Sequence, residues 1–206
     1  MGLEQVYVVF SKSNTGMGKM IRGVTGGSYN HVSISLTEDL RPCYSFARRN
    51  KHNPLCGGFV IEDAGRLCDT GDIQIRVCCV PISRRQYKIA RGMLEVCKAQ
   101  PQQTIYNTYG SIMSVAGVHL QLPGAFTCVE FVGRCLGMRV IRIESLLRRL
   151  APCTVYEGSY LNYTKAKVQR KGSYFKPLGL AGTAYQNAAH FGDLNVRMLC
   201  KLYGRR

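Results

Sequence analysis

Segments patterned for strands occupy this chain from residue 6 to residue 80, and segments with helical spacing occupy residues 83 to 150. That order constrains the fold more than any other feature. Val6 to Phe10 (V-Y-V-V-F) reads as a short buried strand. His31 to Leu36 alternates, with Val32, Ile34 and Leu36 on one face and His31, Ser33 and Ser35 on the other. Residues 42–47 and 58–63 supply two more strands, joined by a polar, basic loop around Lys51 to Pro54, and Ile73 to Val80 is another strong strand. Ser83 then stands where a helix cap belongs, ahead of a helix running to about Ala99 with Tyr87, Ala90, Leu94 and Cys97 as its apolar face. Further helices are predicted over about 106–116, 128–137 and 144–150, with a turn at Leu120–Gly124; a short one at Met17 to Val24 ends at Gly26-Gly27. Strands first and helices later predict an α+β fold, with helices packed on an antiparallel sheet.

The C-terminal stretch differs in composition. Residues 164–206 carry nine Lys/Arg against one acid, Asp193, and so hold half of the chain's net charge of +16. Leu194, Val196, Met198, Cys200 and Leu202 alternate with their neighbours. That pattern predicts a strand over about 194–203 folding back on the body, after an irregular stretch at 164–190. The chain therefore divides into a body at 1–163 and a basic extension at 164–206. An excess of positive charge attracts nucleic acid, anionic lipid or an acidic partner, and equally describes a solvated basic surface.

Several classes are disfavoured. The chain has 206 residues, of which 46% are apolar, enough for one domain with a real core. No apolar run approaches the roughly 18 residues of a membrane span. Met1-Gly2-Leu3-Glu4-Gln5 has neither a basic nor an apolar signal region, and with ten cysteines this predicts reduced thiols and a cytoplasmic location. None of the cysteines forms a C-x-x-C pair, so a zinc ribbon is not expected; adjacent Cys78 and Cys79 would point to opposite faces of a strand. Gly16-Met17-Gly18-Lys19-Met20 imitates the end of a phosphate loop but fails at two positions, Ser13 in place of glycine and Met20 in place of the hydroxyl residue. No cofactor and no metal are expected. The sequon Asn162-Tyr163-Thr164 lacks an export signal and is expected to be unused. Nothing in the sequence specifies an oligomeric state.

One cysteine stands apart chemically. In Phe126-Thr127-Cys128-Val129-Glu130-Phe131, Thr127 suits the N-cap, Glu130 completes a capping box, and Phe126 and Phe131 fit a hydrophobic staple. Cys128 would then open a helix, facing unpaired N–H groups and the positive end of the dipole, a setting that favours a nucleophilic thiolate. The plain alternative is a buried structural cysteine, since the chain uses cysteine freely. Of four histidines, His31 starts a strand on its polar face after a glycine turn and is the first candidate for a base; a structural histidine is the competing reading. His119 lies in an apolar stretch, His52 in a basic loop and His190 in the tail. A Cys–His pair needs a third polar group to fix the ring, and Ser45 and Glu62 are both candidates.

The order of H-V-S-I on a strand, then T-C-V-E-F-V-G on a helix about a hundred residues later, resembles the circularly permuted NlpC/P60 superfamily. This is a papain-like branch of thiol hydrolases that includes YiiX-like and lecithin:retinol acyltransferase-like groups. The points of likeness are T-G-G-S-Y-N-H-V-S-I-S-L (25–36), Y-S-F-A-R (44–48), G-G-F-V-I-E (57–62), I-Y-N-T-Y-G (105–110), F-T-C-V-E-F-V-G (126–133) and V-Y-E-G-S-Y-L-N-Y (155–163) as a closing strand. They span roughly residues 5–163, so the resemblance implies a permuted papain-like catalytic domain at 1–163 and leaves the basic extension uncovered. The resemblance implies Cys128 as nucleophile, His31 as general base, and a third polar residue, Glu62 or Ser45. Relatives often carry Glu or His on the strand after the histidine strand, where this chain has Ser45, and Val129 replaces a frequent serine. The function implied is a cysteine-dependent hydrolase or acyltransferase acting on a peptide, amide or lipid-ester substrate, with an anionic substrate or membrane favoured by the basic surface. The alternative is a non-enzymatic binding module on the same scaffold, holding nucleic acid or anionic lipid through its basic face and tail.

Overall fold

A computed structural model describes residues 2–13 and 27–204. The helix expected at Met17 to Val24 and the phosphate-loop imitation at Gly16 to Met20 lie outside the described residues. In chain order the elements are β1 (Leu3–Ser11), β2 (His31–Ser35), β3 (Cys43–Asn50), β4 (Asn53–Glu62), α1 (Ala64–Leu67), β5 (Gln74–Ser83), α2 (Arg84–Ala99), β6 (Ile105–Tyr106), α3 (Thr108–Val115) and β7 (Ala125–Phe126). There follow α4 (Cys128–Cys135), α5 (Ile143–Leu150), β8 (Thr154–Ser159), α6 (Tyr160–Thr164) and α7 (Leu180–Tyr203).

The strands form one eight-stranded sheet in the order β7-β6-β4-β3-β2-β1-β5-β8. All its pairs are antiparallel except β6 with β7. The chain is thus α+β, as its periodicity predicts. β1 lies inside the sheet, and its run Val6-Tyr7-Val8-Val9-Phe10 is buried throughout because both faces of the sheet are covered. Val6, Val8 and Phe10 face a large core that includes Ala90, Leu94 and Cys97 of α2, Phe131, Val132 and Cys135 of α4, and Leu146 and Leu150 of α5. Tyr7 and Val9 face a second core with Cys43, Ala64 and Tyr160. Cys78 joins the first core and Cys79 packs on the second, one to each face.

Three expectations change. Residues 194–203 are helical, inside the 24-residue α7, not a strand. Its buried residues are His190 and Leu194, with Phe191 and Met198 packed beside Leu194 against Ile105, Leu122 and Ala125. Spacing of four, from 190 to 194 to 198, governs the packing; Val196 and Leu202, which fitted the alternation, are exposed. The irregular stretch accordingly ends at Gly179, and it contains a short 3-10 turn at Ser173–Phe175. The closing segment 155–163 is strand only to Ser159, whose hydroxyl accepts from the Asn162 N–H and starts α6. The Lys51–Pro54 loop is a tight turn, with Asn53 and Pro54 already in β4.

Among the described residues, no helix is long and apolar enough to cross a membrane, and no cluster of three or more His, Cys, Asp or Glu could hold a metal ion. The ten cysteines are free thiols.

Candidate active site

The α4 terminus forms as its local sequence dictates. Thr127 is extended (φ −79°, ψ 166°), and its hydroxyl accepts from the Glu130 N–H at 3.2 Å. Glu130 Oε2 accepts from the Thr127 N–H at 2.8 Å, completing the capping box. The Phe126 and Phe131 rings stand 6.3 Å apart, and Phe131 reaches on to Phe46 at 4.9 Å and Phe59 at 5.9 Å, pinning the helix to β3 and β4. The box takes the N–H groups of Thr127 and Glu130 and leaves those of Cys128 and Val129 outside it. Two donors at a helix start can hold developing negative charge.

Cys128 is 6% exposed at the first residue of α4. His31 begins β2, where the ladder to β3 is short: only Ile34↔Tyr44 and Ser35↔Cys43 pair. Next to that ladder the Ser45 hydroxyl donates to the Val32 carbonyl at 2.7 Å. Ser45 is therefore committed to the β2–β3 seam. It is Glu62 that meets the ring, Oε1 to His31 Nε2 at 3.0 Å. Glu62 pairs across the sheet with Cys43, on the face opposite α4. His31 Nε2 is taken by Glu62, and the Cys128 thiol lies close enough to the ring to help raise its pKa. With Nε2 on Glu62, Nδ1 is the nitrogen left for the thiol.

The electrostatics follow from that placement. Burial pulls the His31 pKa down, but hydrogen bonds with Cys128 and Glu62, and their charge, outweigh it and raise the pKa to about 10. Burial pushes Glu62 up, yet the His31 hydrogen bond and the Arg66 and His31 charges hold it down at about 2. The pair is an imidazolium–carboxylate ion pair at neutral pH. Four other thiols are held protonated by burial, Cys43 and Cys135 at about 12, Cys68 and Cys97 at about 11.

The remaining histidines lie elsewhere. His119 Nε2 meets Glu130 Oε1 at 3.1 Å, behind the capping box, beside a cavity of about 180 Å³ lined in part by Arg134, Met138 and Arg139. His190 is buried on α7 against the Thr108 hydroxyl at 3.0 Å, and His52 is exposed in the β3–β4 turn. Two residues near the site were not among the candidates from sequence, although Tyr106 lies within the I-Y-N-T-Y-G segment. Tyr106 is close enough to Cys128 to feel its charge; burial first, then that charge, push its phenol up. It sits close to β4 because residue 57 is glycine, where a Cβ would stand 2.8 Å from that of Tyr106. Arg66 donates Nε to Glu62 Oε2 at 3.4 Å. No local periodicity marks it, since it stands on the one-turn helix α1 just after β4.

No family model, curated protein or solved structure matches the chain.

Proposed function

We propose that this chain is a cysteine-dependent hydrolase or acyltransferase that cleaves an amide or ester bond through an acyl-enzyme, on a papain-like scaffold of the circularly permuted NlpC/P60 kind. One arrangement supports the reading: a histidine held by a buried carboxylate at 3.0 Å, within electrostatic reach of a cysteine that opens a fully capped helix. The histidine strand precedes the cysteine helix in the chain, the order that the permuted enzymes use.

In this mechanism Cys128 Sγ, its proton already passed to His31 as the imidazolium, bonds as a thiolate to the substrate carbonyl carbon. The carbonyl π-electrons move to oxygen, where the Cys128 and Val129 N–H groups stabilise them. As that oxyanion collapses, the bond to the leaving amine or alcohol breaks and His31 returns the proton to it. Water, deprotonated by the now neutral ring, then attacks the thioester carbon, and Cys128 leaves as the thiolate beside the restored imidazolium. An alcohol or amine in place of water gives acyl transfer. Glu62 stays ionised and fixes the ring throughout.

The test is acyl-enzyme capture. A panel of activated esters and N-acyl amides is mixed with the protein, and each adduct is mapped by mass spectrometry. A burst of product with one acyl group on Cys128 is expected, and the His31→Ala variant should give none. Acyl groups spread over several cysteines, with no burst, would refute the reading.

The exposed face of α2 favours a second reading, as a binding module. Arg84, Arg85 and Lys88 line a shallow depression with Ile89, three cations around an apolar side chain. Retention on heparin that falls steeply between 50 and 200 mM salt, roughly, is its signature; no retention at low salt would dismiss it.

A further inference from the structure

The basic extension does not stand apart from the candidate site. Between α6 and Tyr174 it runs along the side of the second core. Arg41 Nη2 donates to the Thr164 carbonyl, and the Gln169 carbonyl lies so close to α1 that a Cβ at Gly65 would collide with it. Arg170 joins Lys51 on the buried Asp69, at 3.3 Å and 2.9 Å. Lys51 N–H donates to the Tyr174 carbonyl at 2.9 Å, and Asn50 Nδ2 donates to the carbonyls of Ser173 and Lys176 at 3.2 and 2.9 Å. These contacts bury Tyr174 to 5% exposure.

The Tyr174 ring lands on one group in particular. Its centroid is 4.1 Å from the Arg66 guanidinium carbon, within cation–π range, with Arg48 farther off at 5.5 Å. Arg66 Nη2 donates to the Arg48 carbonyl at 2.8 Å, which leaves Nε directed at Glu62 Oε2. Glu62 then presents its other oxygen to His31. The further groups that act on, or are acted on by, the Glu62 charge are Cys43 from β3 and Tyr160 from α6. Burial first raises both well above neutrality, so both stay uncharged and Arg66 supplies the permanent cation beside this carboxylate.

We propose that Arg66 and Tyr174 are positioning residues of the candidate site: Tyr174, from the C-terminal extension, clamps the Arg66 guanidinium against Glu62, so that Glu62 is held toward His31. The inference rests on the proposed Cys128–His31 chemistry. It assigns the extension a part in that site in addition to any part in binding anions. Without the ring, Arg66 is free to turn to solvent and water reaches Glu62, weakening its hold on His31.

The test is the pH–rate profile of Cys128 alkylation by iodoacetamide, read by mass spectrometry in the full-length chain. Arg66→Met should move the acid side of the profile up by about one pH unit, as loss of one adjacent cation does to a buried anionic site. Tyr174→Ala should move it the same way by about half as much. Arg66→Lys and Tyr174→Phe, which keep the charge and the ring, should stay nearer to wild type than their partners. Folding of each variant is checked by urea denaturation; if Arg66→Met does not fold, the Tyr174 pair decides. Folded Met and Ala variants with the wild-type profile would overturn the proposal, because a structural role changes stability and not the profile. A wild-type profile that His31→Ala leaves unmoved would instead overturn the Cys128–His31 reading beneath it.

Discussion

Replacing Glu62 by Gln removes one charge from the site and little volume. Oε1 stands 3.0 Å from His31 Nε2, and the two side chains are 3% and 15% exposed. Charge centres about 4 Å apart attract by about 4 kcal/mol at an effective dielectric near 20. At about 1.4 kcal/mol per pH unit that corresponds to about 3 units of His31 pKa. A glutamine carbonyl still accepts from Nε2, and solvent relaxes toward the exposed edge of the ring, so a fall of about 2 units is expected. The His31 pKa, raised to about 10 in the parent protein, should then drop toward the neutral range. The assay is the NMR titration of the His31 ring protons in both proteins, assigned by the resonance lost in His31→Asn. A His31 titration in Glu62→Gln within about 0.5 unit of the parent would refute the reasoning, because the carboxylate would then contribute no charge to the ring.

The same pair predicts the pH dependence of stability. His31 has a raised folded pKa, so its contribution is full below about 6.5 and is lost as pH rises toward about 10; Glu62 has a depressed one, so its contribution is full above about 4.5 and is lost as pH falls toward about 2. Urea unfolding should show a plateau between these windows, and His31→Asn should flatten the alkaline decline; an unchanged decline would contradict it. Thr127→Ala should cost about 1 kcal/mol by urea denaturation through loss of the cap, and it should slow Cys128 alkylation as the helix start loosens. A stability loss with full alkylation rate would separate the cap from the chemistry. Phe131→Ala should cost about 3–5 kcal/mol, since the ring is fully buried among Phe46, Phe59 and Phe126; a loss below about 1 kcal/mol would mean that the cluster does not pin α4.

What the sequence discloses is what neighbours in the chain decide. The capping box at Thr127, the Ser83 cap and the alternation of β2 are local patterns, and each appears where its pattern predicts. α7 eluded the pattern because its apolar residues satisfy period two and spacing of four together. The contact with Ile105, Leu122 and Ala125 selects the helix, and that contact is far away in sequence. β6 and β7 hold two residues each, too few for any period to register. Sequence places both Glu62 and Ser45 beyond the histidine strand, and no local pattern decides between them. The structure separates them by an opened seam that consumes the serine hydroxyl at Val32. Arg66 and Tyr174 meet across more than a hundred residues, and no local signal joins them.

The central claim is that His31 activates Cys128. Its most direct measurement is the rate of Cys128 alkylation by iodoacetamide between about pH 5 and 9, resolved from the other nine cysteines, in the parent protein and in His31→Ala. The account predicts that Cys128 reacts first and already at about pH 6, and that His31→Ala confines its reaction to above about pH 8. Equal profiles for the two proteins, or a Cys128 no faster than the remaining thiols, would contradict it.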